Sequence, residues 1–241
     1  MKIEAGLMHF KKLNELIRES EDTDIEIDKC IGQRYIADGL SGKHITVNGT
    51  PGNALGAYMN GATVVLNGNA QEATGDTMNE GAIYISGNAG DATGYAMRGG
   101  RIFVRGNAGY RAGIHMKAYR EKHPVLVIGG EAGSFLGEYQ AGGTILVLGL
   151  GSDKAVPVSN FCGNGMHGGK IIIRASEAPA GLSDKILVTK PTKEDMAEIS
   201  ALVGEYCDHF GGSKDEILSG DFIVLRADTK NPYKQLYTHI M

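Results

Sequence analysis

Gly87-Asn-Ala-Gly-Asp-Ala-Thr-Gly94 is one copy of a short glycine pattern that returns every nineteen residues through the middle of the chain. The first glycines of the copies are Gly49, Gly68, Gly87, Gly106 and, after a five-residue insertion, Gly130. A period of about 20 residues is typical of units that cannot bury their own apolar face and therefore stack on one another. Glycine suits the corners of such units because it adopts a positive φ at little cost.

The segments between these glycines alternate as β-strands do. Seven strands are predicted, at His44–Asn48, Thr63–Asn67, Ala82–Ser86, Arg101–Arg105, Val125–Gly129, Thr144–Leu148 and Lys170–Arg174. In the first six, the second position is Ile45, Val64, Ile83, Ile102, Leu126 and Ile145, and the fourth is Val47, Leu66, Ile85, Val104, Ile128 and Val147. Alternate side chains of a strand share a face, so both columns should point into one core. The sequence predicts an all-β fold, a right-handed single-stranded parallel β-helix of about seven coils.

The chain divides into three predicted parts. Residues 1–43 form an N-terminal helical cap, because apolar residues recur at helical spacing within Leu7–Glu19. Residues 44–175 form the glycine-patterned array, and residues 176–241 form a C-terminal α/β extension.

The extension carries its own signals. Short strands are predicted at Ile186–Val188 and Phe222–Leu225. Between them, Thr192 followed by early acidic residues marks the start of a helix that runs to about His209.

Composition argues against several functional classes. The net charge of −4 comes from 24 basic and 28 acidic residues without a basic stripe, so no nucleic-acid partner is expected. No apolar run approaches the roughly 20 residues that span a bilayer, so no membrane association is expected. Cys30, Cys162 and Cys207 show no metal-site or disulfide spacing, which fits a reduced, cytoplasmic protein.

No residue stands out as catalytic, cofactor-binding or metal-binding. Gly149-Leu-Gly151 follows a strand as a dinucleotide loop would, but Lys154 occupies the place of the third glycine. His115, His123 and His167 have no carboxylates or thiols at ligand spacing. Catalytic, cofactor and metal sites are therefore predicted to be absent from this chain.

One outward-facing column is unexpectedly apolar. The third strand position, which points away from the core, holds Val65, Tyr84, Phe103, Val127 and Leu146. A continuous apolar surface of this kind usually marks contact with another protein, so these five residues are a candidate partner interface. The alternative is that a terminal helix of the same chain covers them.

Three stretches carry a family resemblance: Gly49-Thr-Pro-Gly-Asn-Ala-Leu-Gly-Ala-Tyr58, Gly87–Gly94 and Asn160-Phe-Cys-Gly-Asn-Gly-Met-His-Gly-Gly169. With residues 31–175 as a whole, they resemble the C-terminal GXGXG domain of the glutamate synthase large subunit. The N-terminal helix and Gly106–Lys117 are similar to the stand-alone small subunits of such enzymes, including N-methylglutamate synthase. The repeat is also similar to the one found in a subunit of formylmethanofuran dehydrogenase.

The resemblance implies a non-catalytic scaffold subunit of a glutamate-synthase-like complex, which transfers glutamine-derived ammonia to a 2-oxo acid. The implied partners are a glutamine amidotransferase subunit and a synthase subunit that carries FMN and iron–sulfur centres, with no cofactor in this chain. Self-association into a homo-oligomer stays open. The alternatives are the repeat-bearing subunit of a formylmethanofuran-dehydrogenase-like complex and, from a different class, a carbohydrate-active β-helix enzyme.

Overall fold

A computed structural model describes residues 1–228, and all structural statements below concern this part of the chain. The strands are β1 (Lys2–Glu4), β2 (Asp24–Ile31), β3 (His44–Thr50), β4 (Asn60–Asn67), β5 (Glu80–Ile85), β6 (Arg101–Val104), β7 (Val125–Ile128), β8 (Ala141–Val147), β9 (Gly168–Ile173), β10 (Ile186–Thr189) and β11 (Ile223–Ala227). The helices are α1 (Phe10–Glu19), α2 (Lys193–Phe210) and α3 (Lys214–Leu218). None of these helices has the length and apolar character needed to cross a membrane.

All eleven strands belong to one sheet. From β1 to β9 each strand pairs in parallel with the next along the chain. The order then changes, because β11 lies between β9 and β10 and is antiparallel to both.

The predicted fold class is wrong. Instead of a right-handed single-stranded parallel β-helix, the chain forms a single open mixed sheet of eleven strands with an α/β extension. The segments that return from one strand to the next are turns, touching their neighbours through isolated bridges such as Ala70–Ala89 and Ala89–Ala108. Residues in left-handed conformation, among them Ala73, Gly75 and Thr77, interrupt these segments, so they cannot form a second ladder.

The two aliphatic columns are confirmed as core. Strand register places Ile45, Val64, Ile83 and Ile102 beside one another, and each is at most 1% exposed. The methionines Met59, Met78, Met97 and Met116 close this core from the side of the turns, each fully buried. Burial of each such side chain contributes about 1.5–3 kcal/mol.

Asparagines bind the turns together. The side-chain oxygen of Asn69 accepts the backbone N–H of Asn88 at 2.8 Å, and Asn88 accepts that of Asn107 at the same distance. A Cβ at Gly87 or Gly106 would overlap these oxygens, so glycine is required beside each asparagine. The Gly-Asn pairs of the sequence are therefore the points where one turn bonds to the next.

Both termini of the described chain extend this sheet. At the N-terminal end, β1 and β2 continue the parallel order, and α1 buries Leu13 and Ile17 in the same core. At the other end, α2 begins with a capping box between Thr192 and Asp195, as the early acidic residues indicated.

Candidate functional site

The outward apolar column lies where the strand phase predicts. Parallel register sets Val65 beside Tyr84, Tyr84 beside Phe103, Phe103 beside Val127, and Val127 beside Leu146. Phe103, Val127 and Leu146 are fully buried and Tyr84 is 8% exposed, while Val65 is half-buried at the margin.

The cover is α2 of the same chain. Ile199, Leu202, Val203 and Tyr206 of this helix form one apolar cluster with the column. The alternative interpretation of the sequence, in which a helix of the same chain covers the column, is therefore the one that the structure shows. While α2 is docked, the side chains of the column are not accessible to a partner. Contact of a partner with the column stays a prediction that needs α2 to move.

Polar contacts fix α2 in register on the sheet. The Tyr84 hydroxyl donates to Glu205 at 2.8 Å, and its ring stacks on His209 with 3.5 Å between centroids. Burial and the adjacent Glu205 carboxylate raise the pKa of Tyr84, so its phenol stays protonated and donating. Arg101 pairs with the same carboxylate at 2.6 Å.

A different surface carries exposed rings. We define the aromatic face as Tyr95, Tyr110, His115, Phe135, Tyr139 and Phe161, which lie on the turns between the parallel strands. His115 stacks on Tyr139 with 5.2 Å between ring centroids, and Phe135 stacks on Phe161 at 4.7 Å. Tyr139 and Phe161 are 43% and 52% exposed, although aromatic side chains gain most by burial.

Several of these aromatic residues have a backbone conformation that is energetically unfavourable for any residue except glycine. His115, Phe135, Tyr139 and Phe161 all have φ between 53° and 62°, the left-handed region that favours glycine. A bulky residue there costs about 1–3 kcal/mol. In the turn after Tyr139 the same position is Gly165, so the fold accepts glycine at this place. Rings kept at such a cost, and exposed, indicate a functional surface.

An ion pair between exposed Arg111 and the buried carboxylate of Glu138 supports the aromatic face. The Nε of Arg111 donates to Glu138 at 2.8 Å, and the Asn164 amide donates to the other oxygen of this carboxylate at 3.2 Å. Glu138 is 4% exposed. The Arg111 guanidinium lies over the ring of Tyr110, 4.8 Å from its centroid. Aromatic residues and arginine in a rigid, exposed cluster are the composition of energetic centres in protein interfaces.

Sequence reasoning missed the aromatic face. The sequence does contain a sign of it, because one position of the glycine pattern is aromatic in three copies. These residues are Tyr58, His115 and Tyr139. The sequence did not indicate that this position takes a left-handed conformation and turns its side chain outward.

The metal-binding and nucleophilic residue types of the described chain have the following surroundings. No group of three or more His, Cys, Asp or Glu side chains in residues 1–228 is arranged to hold a metal ion. Burial raises the pKa of the Cys30 thiol to about 11 and that of Cys162 to about 12, which suppresses the reactive thiolate. His115 belongs to the aromatic face, and the Nε2 of His123 lies 3.0 Å from the Thr144 hydroxyl.

Comparison with known proteins identifies the family. The model of the GXGXG motif matches residues 22–225, and the chain therefore belongs to this family, as the sequence resemblance predicted. An uncharacterized protein of Methanocaldococcus jannaschii is 43% identical over 249 aligned positions, which cover 98% of this chain and 95% of the relative.

A solved structure shares the fold. It is a chain of the formyltransferase/hydrolase complex (FhcABCD) from Methylorubrum extorquens, determined with methylofuran. The match has a TM-score of 0.61 and 22% sequence identity, and it covers 87% of this chain and 75% of that one. At this identity the likeness concerns the fold alone.

Proposed function

We propose that this chain is a non-catalytic, cytoplasmic scaffold subunit of a glutamate-synthase-like complex, which moves ammonia from glutamine to a 2-oxo acid. Its partners are a glutamine amidotransferase subunit and a synthase subunit that carries FMN and iron–sulfur centres. Family membership supports this assignment, since the GXGXG motif resembles the glutamate synthase C-terminal domain.

The observation that carries the proposal is the aromatic face. Exposed Tyr139 and Phe161 in strained backbone conformations, beside the fixed Arg111–Glu138 pair, form a surface suited to a partner rather than to water. The core behind it is filled by aliphatic and methionine side chains, which gives this surface a stiff support.

A second candidate is a subunit of a formylmethanofuran-dehydrogenase-like complex. It is favoured by the fold shared with a chain of the formyltransferase/hydrolase complex of Methylorubrum extorquens. The two candidates place the chain in the same kind of role, the support of catalytic subunits, but beside different partners.

Affinity purification from the native host tests both candidates. A tag at the C-terminus should capture an amidotransferase subunit and an FMN protein, identified by mass spectrometry. With a two-electron donor supplied, the captured assembly should convert glutamine and 2-oxoglutarate to two glutamates. The Tyr139→Ala/Phe161→Ala double variant should lose these partners. Leu187→Ala, which alters an equally exposed apolar side chain on the edge strand β10, should keep them.

Two results would contradict the first candidate, and a third would contradict the assigned interface. Capture of formyltransferase or hydrolase subunits would favour the second candidate instead. Glutaminase activity of the isolated chain would refute a non-catalytic role. Retention of all partners by the double variant would move the interface away from the aromatic face.

A further inference from the structure

A cleft of about 580 Å³ opens at the carboxyl ends of β6, β8 and β9, where α2 ends and α3 begins. Arg105 and Arg174 line it, together with two loops, Gly149–Ser152 and Gly211–Ser213. Its volume lies in the range of small-molecule sites. The cleft contains no residue of the aromatic face and does not depend on the proposed function.

The two arginines of the cleft have no carboxylate partner within the described chain. In residues 1–228 neither forms an ion pair, although Glu216 also lines the cleft. Arg174 is half-buried, and its Nε donates to the carbonyl oxygen of Ile217 at 3.0 Å. Gly220 packs against this guanidinium, where a Cβ would lie 2.9 Å from its central carbon. The structure thus positions Arg174 while leaving its charge unneutralised.

The loops add hydrogen-bond donors. The backbone N–H groups of Gly151 and Gly212 donate to no acceptor in the described chain. Both glycines have a positive φ, at 75° and 103°. The hydroxyls of Ser152 and Ser213 are already engaged, with Glu131 and with the first turn of α3.

The spacing of the arginines suggests the form of the ligand. Arg105 and Arg174 follow β6 and β9 at equivalent positions, so their backbones are separated by three strand spacings, about 14 Å. Gly129 occupies the same position after β7 and leaves room for the Tyr206 hydroxyl. The side chains of Arg105 and Arg174 can therefore contact one ligand from opposite sides, if that ligand carries an anionic group at each end.

We propose that this cleft binds a small anion with two carboxylate or phosphate groups, one held by each arginine. Guanidinium groups bind carboxylate and phosphate oxygens bidentately, and the free N–H groups of the loops supply further donors. Leu150 and Phe210 line the space between and suit an apolar linker. The Gly149–Gly151 loop is followed in the chain by β9 and not by a helix, so it does not form a dinucleotide turn.

Isothermal titration calorimetry of the full-length protein at low ionic strength tests this site. The probes are glutarate and pyrophosphate, which separate carboxylate from phosphate recognition, with acetate as the single-charge control. We expect one of these two anions to bind, and Arg105→Gln and Arg174→Gln each to weaken binding about tenfold or more. Arg98→Gln, which removes an exposed arginine outside the cleft, should bind as the unaltered protein does.

Three outcomes would overturn the proposal. The first is the absence of binding by glutarate and by pyrophosphate at millimolar concentration. The second is equal weakening by Arg98→Gln, and the third is acetate binding as tight as that of the two probes, since both of these results indicate non-specific attraction. Should Arg174→Gln fail to fold, Arg105→Gln decides alone, because only the backbone oxygen of Arg105 is hydrogen-bonded to α2.

Discussion

Lys170 of β9 donates to Asp195 of α2, with 2.8 Å between Nζ and Oδ1. Arg226 of β11 reaches the same carboxylate, with its Nη2 2.7 Å from each oxygen. Asp195 is 2% exposed and also closes the cap of α2 with Thr192. One buried carboxylate thus ties the covering helix to the end of the sheet where the strands stop being parallel.

Asp195→Asn should destabilise the protein strongly. The variant keeps the shape of the side chain but removes the counter-charge of Arg226 and one of the two carboxylates paired with Lys170, whose other partner is Glu198. The expected loss is therefore about 3 kcal/mol, the low end for a broken buried ion pair. Urea unfolding followed by circular dichroism measures this loss. Asp184→Asn, at an exposed loop carboxylate, should change the free energy of unfolding by less than about 0.5 kcal/mol. Equal stability of the two variants would contradict the assigned role of Asp195.

The same group should make stability fall in acid. Burial alone would raise the pKa of Asp195, but hydrogen bonds from Lys170, Arg226 and Thr192 lower it below the ordinary value of 3.8. Its stabilising contribution is therefore complete above the unfolded pKa and is lost as the pH falls through the folded one. Between pH 5 and about pH 2, the free energy of unfolding should decline more steeply for the unaltered protein than for Asp195→Asn. If the free energy of unfolding declined equally with pH in both proteins, Asp195 would not be the source of the acid sensitivity.

Phe103→Ala should lower the stability of the protein much more than Phe161→Ala. Phe103 is fully buried under α2, and its truncation should cost about 3–5 kcal/mol. Phe161 is 52% exposed in a left-handed conformation, so its truncation should change stability by less than about 1 kcal/mol. Thermal and urea unfolding compare the two. A mild effect of Phe103→Ala would mean that α2 is not docked in solution.

Gly68→Ala and Gly204→Ala should have opposite effects. A Cβ at Gly68 would overlap the backbone carbonyl oxygen of Gly49, which cannot move without breaking the stack of turns, so a loss of about 1–3 kcal/mol is expected. At Gly204, inside α2, the nearest atom would be the flexible Lys214 Nζ at 3.2 Å, and the gain in helix propensity is up to about 1 kcal/mol. Chemical denaturation measures the free energy of unfolding of both variants. If Gly68→Ala were as stable as the unaltered protein, the tight contact between the turns would be contradicted.

Cys30 and Cys162 should resist thiol reagents in the folded protein. Burial raises their pKa to about 11 and about 12, and both side chains are 2% exposed. Iodoacetamide at pH 8 should leave both unmodified, and should modify them after unfolding in urea. Burial also raises the pKa of Cys207, but this thiol is only half-buried and should react first. Mass spectrometry of peptides assigns each site, and early modification of Cys162 would contradict its burial.

The strand phase could be predicted because it depends on local residue types. Aliphatic residues at alternate positions, such as Ile83 and Ile85, identify the core face of each strand. The fold class could not be predicted in the same way. The fold class depends on the hydrogen bonds of the segments that return from one strand to the next. In these segments Ala73 and Thr77 adopt a left-handed conformation, which cannot be predicted from the identity of either residue.

The covering of the outward column depends on contacts distant in the chain. The apolar face of α2 and the column of Tyr84 and Phe103 were each visible in the sequence, but their pairing spans more than a hundred residues, as the Tyr84–Glu205 hydrogen bond shows. Likewise, Arg105 and Arg174 come together only because equivalent positions of different strands share one edge of the sheet.

The position of β11 between β9 and β10 has a consequence for biosynthesis. Chains emerge from the ribosome at about 5–20 residues per second and their N-terminal parts fold first. When β9 has left the ribosome it still lacks the neighbour that completes it, because β10 and α2 come before Ile223–Ala227 in the chain. The nascent sheet therefore keeps an unpaired edge at β9 until β11 emerges, and ribosome stalling shortly before residue 223 would leave this edge exposed to chaperones.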